Sequence, residues 1–274
     1  MNRLGIEMLT LLGMPPVEHV RLAGELGCVG ISTGLSQLPL AMFGYAGFAP
    51  YPAWSLEDDP ALRRELKATL ADTGVSIELG EGIGVRPAAD VRDRASALDM
   101  MAELGAKRIN AVSMDPDVER THDQLALLAD MVIERGMAFT IEFSPSLSTN
   151  SLRSALAALE HVGRGRCRLL LDAMHFFRTG ATVADLRALD LDLIGYAQLC
   201  DAPLVSPGTS YMQESMFARI VPGEGDLPLR DWIAALPADV PIGLEVPQIA
   251  TLQSGVSPRD HAARVVEAAR ALGA

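Results

Sequence analysis

What most constrains the fold of this chain is a rhythm. Short apolar runs recur eight times, separated by longer amphipathic stretches. That alternation predicts repeated βα units. The strands are expected at about 4–9, 28–33 (CVGIST), 75–80 (VSIELG), 108–113 (RINAVS), 138–144 (AFTIEFS), 167–172 (CRLLLD), 194–201 (IGYAQLCD) and 241–246 (PIGLEV). A first helix opens at Pro15 and Pro16 and ends near Gly27, and a final one spans about Pro258 to Leu272. Eight strands, each followed by helix, suit a closed parallel α/β barrel, a single (β/α)8 TIM barrel. The competing open, doubly wound sheet usually carries a glycine-rich phosphate turn after its first strand, and EMLTLLGMPP is not one. The 274 residues fit one such barrel, with no repeat, low-complexity tract or linker, so residues 1–274 are expected to form one domain.

Composition narrows the partners. Asp and Glu number 35 against 23 Lys and Arg, a net charge of -12, and no basic run relieves it. Such a surface repels phosphate backbones and anionic lipid, which argues against nucleic acid and membrane and for a small-molecule substrate. The three cysteines (Cys28, Cys167, Cys200) lie far apart in apolar runs, as expected of buried, inert thiols in a reducing compartment. The N-terminal stretch is interrupted by Glu7 and lacks a small-residue cleavage site, and no segment approaches a membrane span. A cytoplasmic location is the expectation.

Two connections are too long to be simple turns. The first, 34–58, holds Phe43, Tyr45, Phe48, Tyr51 and Trp54, five of the 13 aromatic residues (Trp 2, Tyr 4, Phe 7). The second, 202–227, holds Tyr211, Met212, Met216, Phe217 and Arg219. Both follow strands, so in a barrel they overhang the C-terminal mouth, as an apolar lid or as packing and subunit contacts. The 43–54 loop would suit a homo-oligomer.

Polar residues interrupt the last four strands near their C-terminal ends: Glu142, Asp172, Gln198 and Glu245. Burying an ionised carboxylate costs several kcal/mol unless a partner offsets it. Three carboxylates converging on one mouth would also repel each other, and one divalent cation resolves both problems. A set of three carboxylates and an amide oxygen favours a hard ion, Mn2+ or Mg2+.

The motifs IEFSP (141–145), LLLDAMH (169–175), YAQLCD (196–201), PGEGD (222–226) and GLEVP (243–247) together resemble the xylose-isomerase-like barrel superfamily. Its members include sugar isomerases and epimerases, inosose and dehydroshikimate dehydratases, and apurinic-site endonucleases. The motifs span roughly the C-terminal half. The resemblance implies metal ligands at Glu142, Asp172, Gln198 and Glu245, with Glu142 and Glu245 also serving as catalytic acid/base groups. Gln198 stands where many epimerases carry His, as in the hydroxypyruvate isomerase and some dehydratase branches. His175 matches the D-x-x-H histidine, and Arg219 matches an arginine that holds substrate oxygens. Ser144 stands where some dehydratases have a catalytic His. Arg86, in the loop GEGIGVRP, is a third substrate-binding candidate, and Glu78 or Glu81 could orient a hydroxyl. Arg219 could alternatively pair with Glu214 or Glu224.

The implied chemistry is proton abstraction to an enediolate, giving a metal-dependent isomerase or epimerase of a small sugar or hydroxy-keto acid. The alternative is a dehydratase that loses a β-hydroxyl from the same intermediate. A multi-zinc endonuclease would need more strand-end histidines than His175, since His19, His122, His161 and His261 fall in predicted helices or at their edges.

Overall fold

The computed structural model describes residues 2–208 and 210–274. Eight parallel strands close into a barrel in sequence order: β1 (Leu4–Ile6), β2 (Gly30–Thr33), β3 (Ser76–Val85), β4 (Arg108–Ser113), β5 (Ala138–Glu142), β6 (Arg168–Asp172), β7 (Ile194–Leu199) and β8 (Ile242–Leu244). Closure is made by β1 against β8, where Gly5 faces Gly243. The main core lies between strands and outer helices, for example Ile31, Ile109 and Ile141 against Val20, Leu98 and Leu128.

Six of the expected strands are shorter in the structure, β1 and β8 most of all. The apolar run after Ile6 coils into a 3-10 turn, Met8–Leu11, closed by Leu12 at a positive φ of 49°. The eighth strand keeps its regular pairing only to Leu244, although the Glu245 amide still donates to the Leu199 carbonyl at 3.1 Å. β3 is longer than expected. Its pairing with β4 runs from Gly80↔Ile109 to Ile83↔Ala111, one extra residue on the β3 side. Gly82, at φ +83°, takes the left-handed conformation this bulge requires.

Inside the ring, Leu79, Leu170 and Tyr196 form a small apolar layer. Side chains two residues apart on a strand share a face, so the next positions along these strands, Glu81, Asp172 and Gln198, form the layer above it. The polar site is thus the top storey of the barrel interior, standing on an apolar floor. Among the described residues no helix is long and apolar enough to cross a membrane.

Candidate active site at the barrel mouth

A cavity of about 550 Å³ opens over the C-terminal ends of the strands. Glu142, His175, Arg219, Glu245, Glu81 and Arg86 line it, while Asp172 and Gln198 lie just beneath. These eight residues, all singled out from the sequence, therefore gather at one end of the barrel.

Asp172 closes β6 and caps the short helix Ala173–Arg178, accepting the His175 amide at 2.8 Å on Oδ1. Its other oxygen takes a hydrogen bond from the Arg219 guanidinium. Arg219 also reaches Glu245 Oε2 at 2.8 Å, so one buried cation bridges two carboxylates. Its Nε bonds the Ser215 carbonyl at 2.7 Å, and Nη1 lies 3.4 Å from Cys200 Sγ. The alternative partners are taken elsewhere: Glu214 pairs with Arg178, and Glu224 with Arg264.

Glu142 Oε2 accepts from Asn110 Nδ2 at 2.6 Å, and its Oε1 lies 3.4 Å from His175 Nε2. The other imidazole nitrogen of His175 is 2.5 Å from the Tyr211 hydroxyl. Gln198 Nε2 contacts Glu245 Oε1 at 3.3 Å and Glu7 Oε2 at 3.4 Å, whereas its side-chain oxygen is buried without a partner. Arg86 sits on the exposed rim just after β3, and among the described residues its guanidinium pairs with no carboxylate.

Electrostatics follow from this crowding. Burial pushes the Asp172 carboxyl up, but the Arg219 and His175 charges outweigh it and hold the group below its ordinary value. For Glu245 burial wins despite Arg219, with the Asp172, Glu142 and Glu7 charges adding to it, and its carboxyl is raised well above the usual range. Burial likewise raises Glu81, helped by the Glu7 and Glu245 charges. Burial pushes the Cys200 thiol up to about 12, and all three cysteines are free and buried.

Glu78 is a correction to the sequence reading. It lies early in β3, held by Lys107 at 2.5 Å and Arg108 at 2.6 Å. Arg108 starts β4 and Lys107 immediately precedes it, at the opposite end of the barrel, so Glu78 cannot reach a substrate at the mouth. Glu81 can, because the longer β3 carries it up to the cavity wall.

Two site residues escaped sequence reasoning. Glu7, fully buried just beyond β1, accepts from the Tyr196 hydroxyl at 2.7 Å. Gly243 makes room for it: a Cβ there would lie 1.5 Å from Glu7 Oε1. Asn110, on β4, orients Glu142. Both obey the rule that flagged the others, a polar residue breaking an apolar strand. The PGEGD loop, by contrast, is structural. The Gly223 and Leu227 amides donate to the Asp201 carboxylate at 2.9 and 3.1 Å, and Gly225 leaves no space for a side chain beside it.

Comparison with known proteins adds to this geometry. No curated protein matches the sequence. Among solved structures, the IOLI protein with a bound zinc atom superposes with TM-score 0.78 at 17% identity, covering 98% of this chain and 97% of that one. A D-psicose 3-epimerase with D-tagatose from Clostridium cellulolyticum H10 gives TM-score 0.69 at 13% identity, over 98% and 99% of the two chains. The probable 3-DHS dehydratase AsbF, involved in petrobactin synthesis in Bacillus anthracis, gives 0.70 at 15%, over 100% and 99%. A xylose isomerase-like TIM barrel/4-hydroxyphenylpyruvate dioxygenase fusion protein also matches, with TM-score 0.75 at 19% identity; 98% of this chain spans 42% of it. At these identities the likeness speaks for the fold alone. A family model described as xylose isomerase-like TIM barrel matches residues 39–273, well over half the sequence, and this chain belongs to that family.

Proposed function

We propose that the protein is a divalent-metal-dependent isomerase or epimerase that moves a proton on a small sugar or hydroxy-keto acid through an enediolate. The observation that carries this reading is the pair Glu142 and Glu245. They end β5 and follow β8, three strands apart in a ring of eight, and they line one cavity. Two carboxylates facing a bound substrate from different sides can take a proton from one face and return it to the other, or to the neighbouring carbon.

The donor set supports a hard ion. It is all oxygen, and the unpartnered Gln198 carbonyl oxygen is a buried acceptor that a cation would satisfy. Gln198 and Glu245 would hold the ion, with Glu142 and Asp172 as the other expected ligands. When bound, it would act as a Lewis acid on the substrate oxygens that gain negative charge. The IOLI relative holds a zinc atom, so barrels of this shape accommodate a metal.

The chain's own groups divide the rest of the work. His175, fixed by the Tyr211 hydroxyl and the Asp172 carboxylate, hydrogen-bonds a substrate hydroxyl. Arg219 and Arg86 hold substrate oxygens. Met212 and Met216 on the overhanging segment, with Leu38 opposite, keep water off the reacting carbon.

The test is a panel of ketoses and hydroxy-keto acids in D2O with Mn2+, followed by NMR. Deuterium incorporation at the carbon next to the carbonyl, with an isomeric product, is expected. It should fall by about 10²- to 10⁴-fold in Glu142→Gln and in Glu245→Gln, the usual worth of a positioned acid or base. An ultraviolet-absorbing enone without isomer would assign a dehydratase. No exchange with any substrate would refute the proton-transfer chemistry.

A further inference from the structure

Charge changes sign along the cavity wall above β3. Glu81 lines the cavity from within that strand, whereas Arg86, just past its end, and Arg94, closing the 3-10 turn Val91–Arg94, bring positive charge to the same cavity. Arg219 is already committed to Asp172 and Glu245. Arg86 and Arg94 are not committed. Among the described residues neither guanidinium has a hydrogen-bond or ion-pair partner, although the chain carries 35 acidic residues. The acids of their own segment do not take them: Asp90 pairs with Arg92 at 2.8 Å, and Asp93 reaches neither.

The backbone that carries Arg86 is fixed with unusual care. A residue before proline is confined to extended conformations, and Pro87 follows Arg86 directly. The Ala89 amide donates to the Arg86 carbonyl at 3.3 Å, closing a turn with Pro87 and Ala88 at its corners. Ala88 stands at φ +57°, a corner conformation that suits glycine and strains alanine. Arg120, on the helix Val118–Ile133, clamps both ends of this turn. It donates to the Arg86 carbonyl at 3.0 Å and to the Ala89 carbonyl, and is itself paired with the buried Asp115. The Val91 amide is tied to Gln124 at 2.8 Å. Strain held in place on a cavity wall marks a functional position, and what this turn holds is the root of the Arg86 side chain.

We propose that Arg86 and Arg94 form a subsite for a terminal anion on the substrate, a phosphate ester or a carboxylate. The substrate is then a sugar phosphate or a sugar acid rather than a neutral ketose. This rests on the isomerase reading above and names its substrate class. Guanidinium groups present planar forks of donors that match either anion. The carboxylates deeper in the mouth repel a second negative charge, so the anionic end stays at the rim. The uncharged carbonyl end goes down between Glu142 and Glu245. Glu57, which lines the cavity from the 34–58 connection, disfavours the anion there and directs it to the arginines. Charge thus decides which end of the substrate meets the acid/base pair.

The experiment measures binding by calorimetry and proton exchange by NMR in D2O, both with Mn2+ present. The probes are ketopentoses and ketohexoses, each as the neutral sugar, its terminal phosphate ester and its terminal carboxylate. Wild type is compared with Arg86→Gln, Arg94→Gln and the double variant, all at positions outside the core. In the wild type one anionic form should bind at least about 10-fold more tightly than its neutral sugar, and about 1 M NaCl should shrink that ratio. The anion that gains more tells a phosphate from a carboxylate. The ratio should fall in each single variant and approach one in the double variant. A ratio near one in the wild type, or no binding of any form, overturns the subsite, and so does a preference that survives in the double variant. Exchange on a neutral sugar without any preference for an anion removes the subsite and leaves the isomerase reading standing. A preference that depends on both arginines, without exchange on any probe, upholds the subsite and removes the isomerase reading.

Discussion

Replacing Arg219 by Met tests the charge balance of the mouth directly. Methionine keeps most of the apolar stem and removes the guanidinium from between Asp172 and Glu245, which are 1% and 5% exposed. Removing one partner of a buried ion pair costs about 3–5 kcal/mol, because the abandoned charge has no water to return to. Two features bear on that figure here. Glu245 already sits well above the usual carboxylate range and can take up a proton, so the burden falls mainly on Asp172. The lost Nε bond to the Ser215 carbonyl adds about 1 kcal/mol. Urea unfolding at pH 7 in EDTA should therefore show the variant about 3–5 kcal/mol less stable. Mn2+ at a hundred times its dissociation constant should stabilise the variant by about 2.7 kcal/mol, replacing one cation with another. The pH dependence has a definite sign. The Asp172 carboxyl is held below its ordinary 3.8, so its contribution is present above that value and is lost as pH falls through the folded one. The difference between variant and wild type should shrink on acidification below about pH 4. A variant within about 1 kcal/mol of wild type in EDTA at pH 7 would show that the guanidinium does not neutralise these acids, and the argument would fall.

Other outcomes follow from single groups. His19 is fully buried, its Nε2 has no partner, and burial lowers its pKa to about 3 from 6.5. Its neutral form favours the fold above pH 6.5, and that stability drains away as pH falls towards 3, by about 2 kcal/mol at pH 5. His19→Gln should lose correspondingly less between pH 7 and 5 in paired urea titrations, and parallel curves would contradict the account. Gly243→Ala would put a methyl 1.5 Å from Glu7 Oε1, so Glu7 must swing out. Overpacking of about 1–3 kcal/mol in thermal melts is expected. Tyr211→Phe removes the hydroxyl 2.5 Å from His175 Nδ1 and should lower kcat with little change in folding, read by steady-state kinetics on whichever substrate the D2O panel identifies.

The barrel was legible because strand periodicity is local. The range 108–113 coincides with β4, and the last helix, Pro258–Leu272, lies where its pattern put it. Ends were harder where an apolar run continues past a strand. Residues 8 and 9 read as the end of the first strand by hydrophobicity alone, yet they belong to the 3-10 turn Met8–Leu11 that coils under Leu12 and Gly13. That one misplacement hid Glu7: with the strand drawn to residue 9, Glu7 sits mid-strand, whereas with β1 ending at Ile6 it is a strand-end acid like the rest. Glu142, Asp172, Gln198 and Glu245 stood out because polar side chains rarely interrupt buried strands without cause. The pairing of Arg219 was beyond local reading. The isolated bridge between Ala218 and Gln248 and the Asp201 network set where its loop runs, and those contacts join segments far apart in sequence.

Phe217 precedes Arg219 by two residues, and its ring packs on Phe43 and Tyr45 of the other long loop at centroid distances of 5.4 and 4.8 Å. Tyr45 also donates its hydroxyl to Gln213 in the same helix at 2.9 Å. The two overhanging segments are therefore one mechanical unit, latched by aromatic rings on the outside and by a guanidinium on the inside. Lifting it to admit a ligand strains both latches together. Traffic through the mouth and the charge state of the carboxylates beneath are thus coupled, and the aromatic loop, which carries no chemistry of its own, shares control over both.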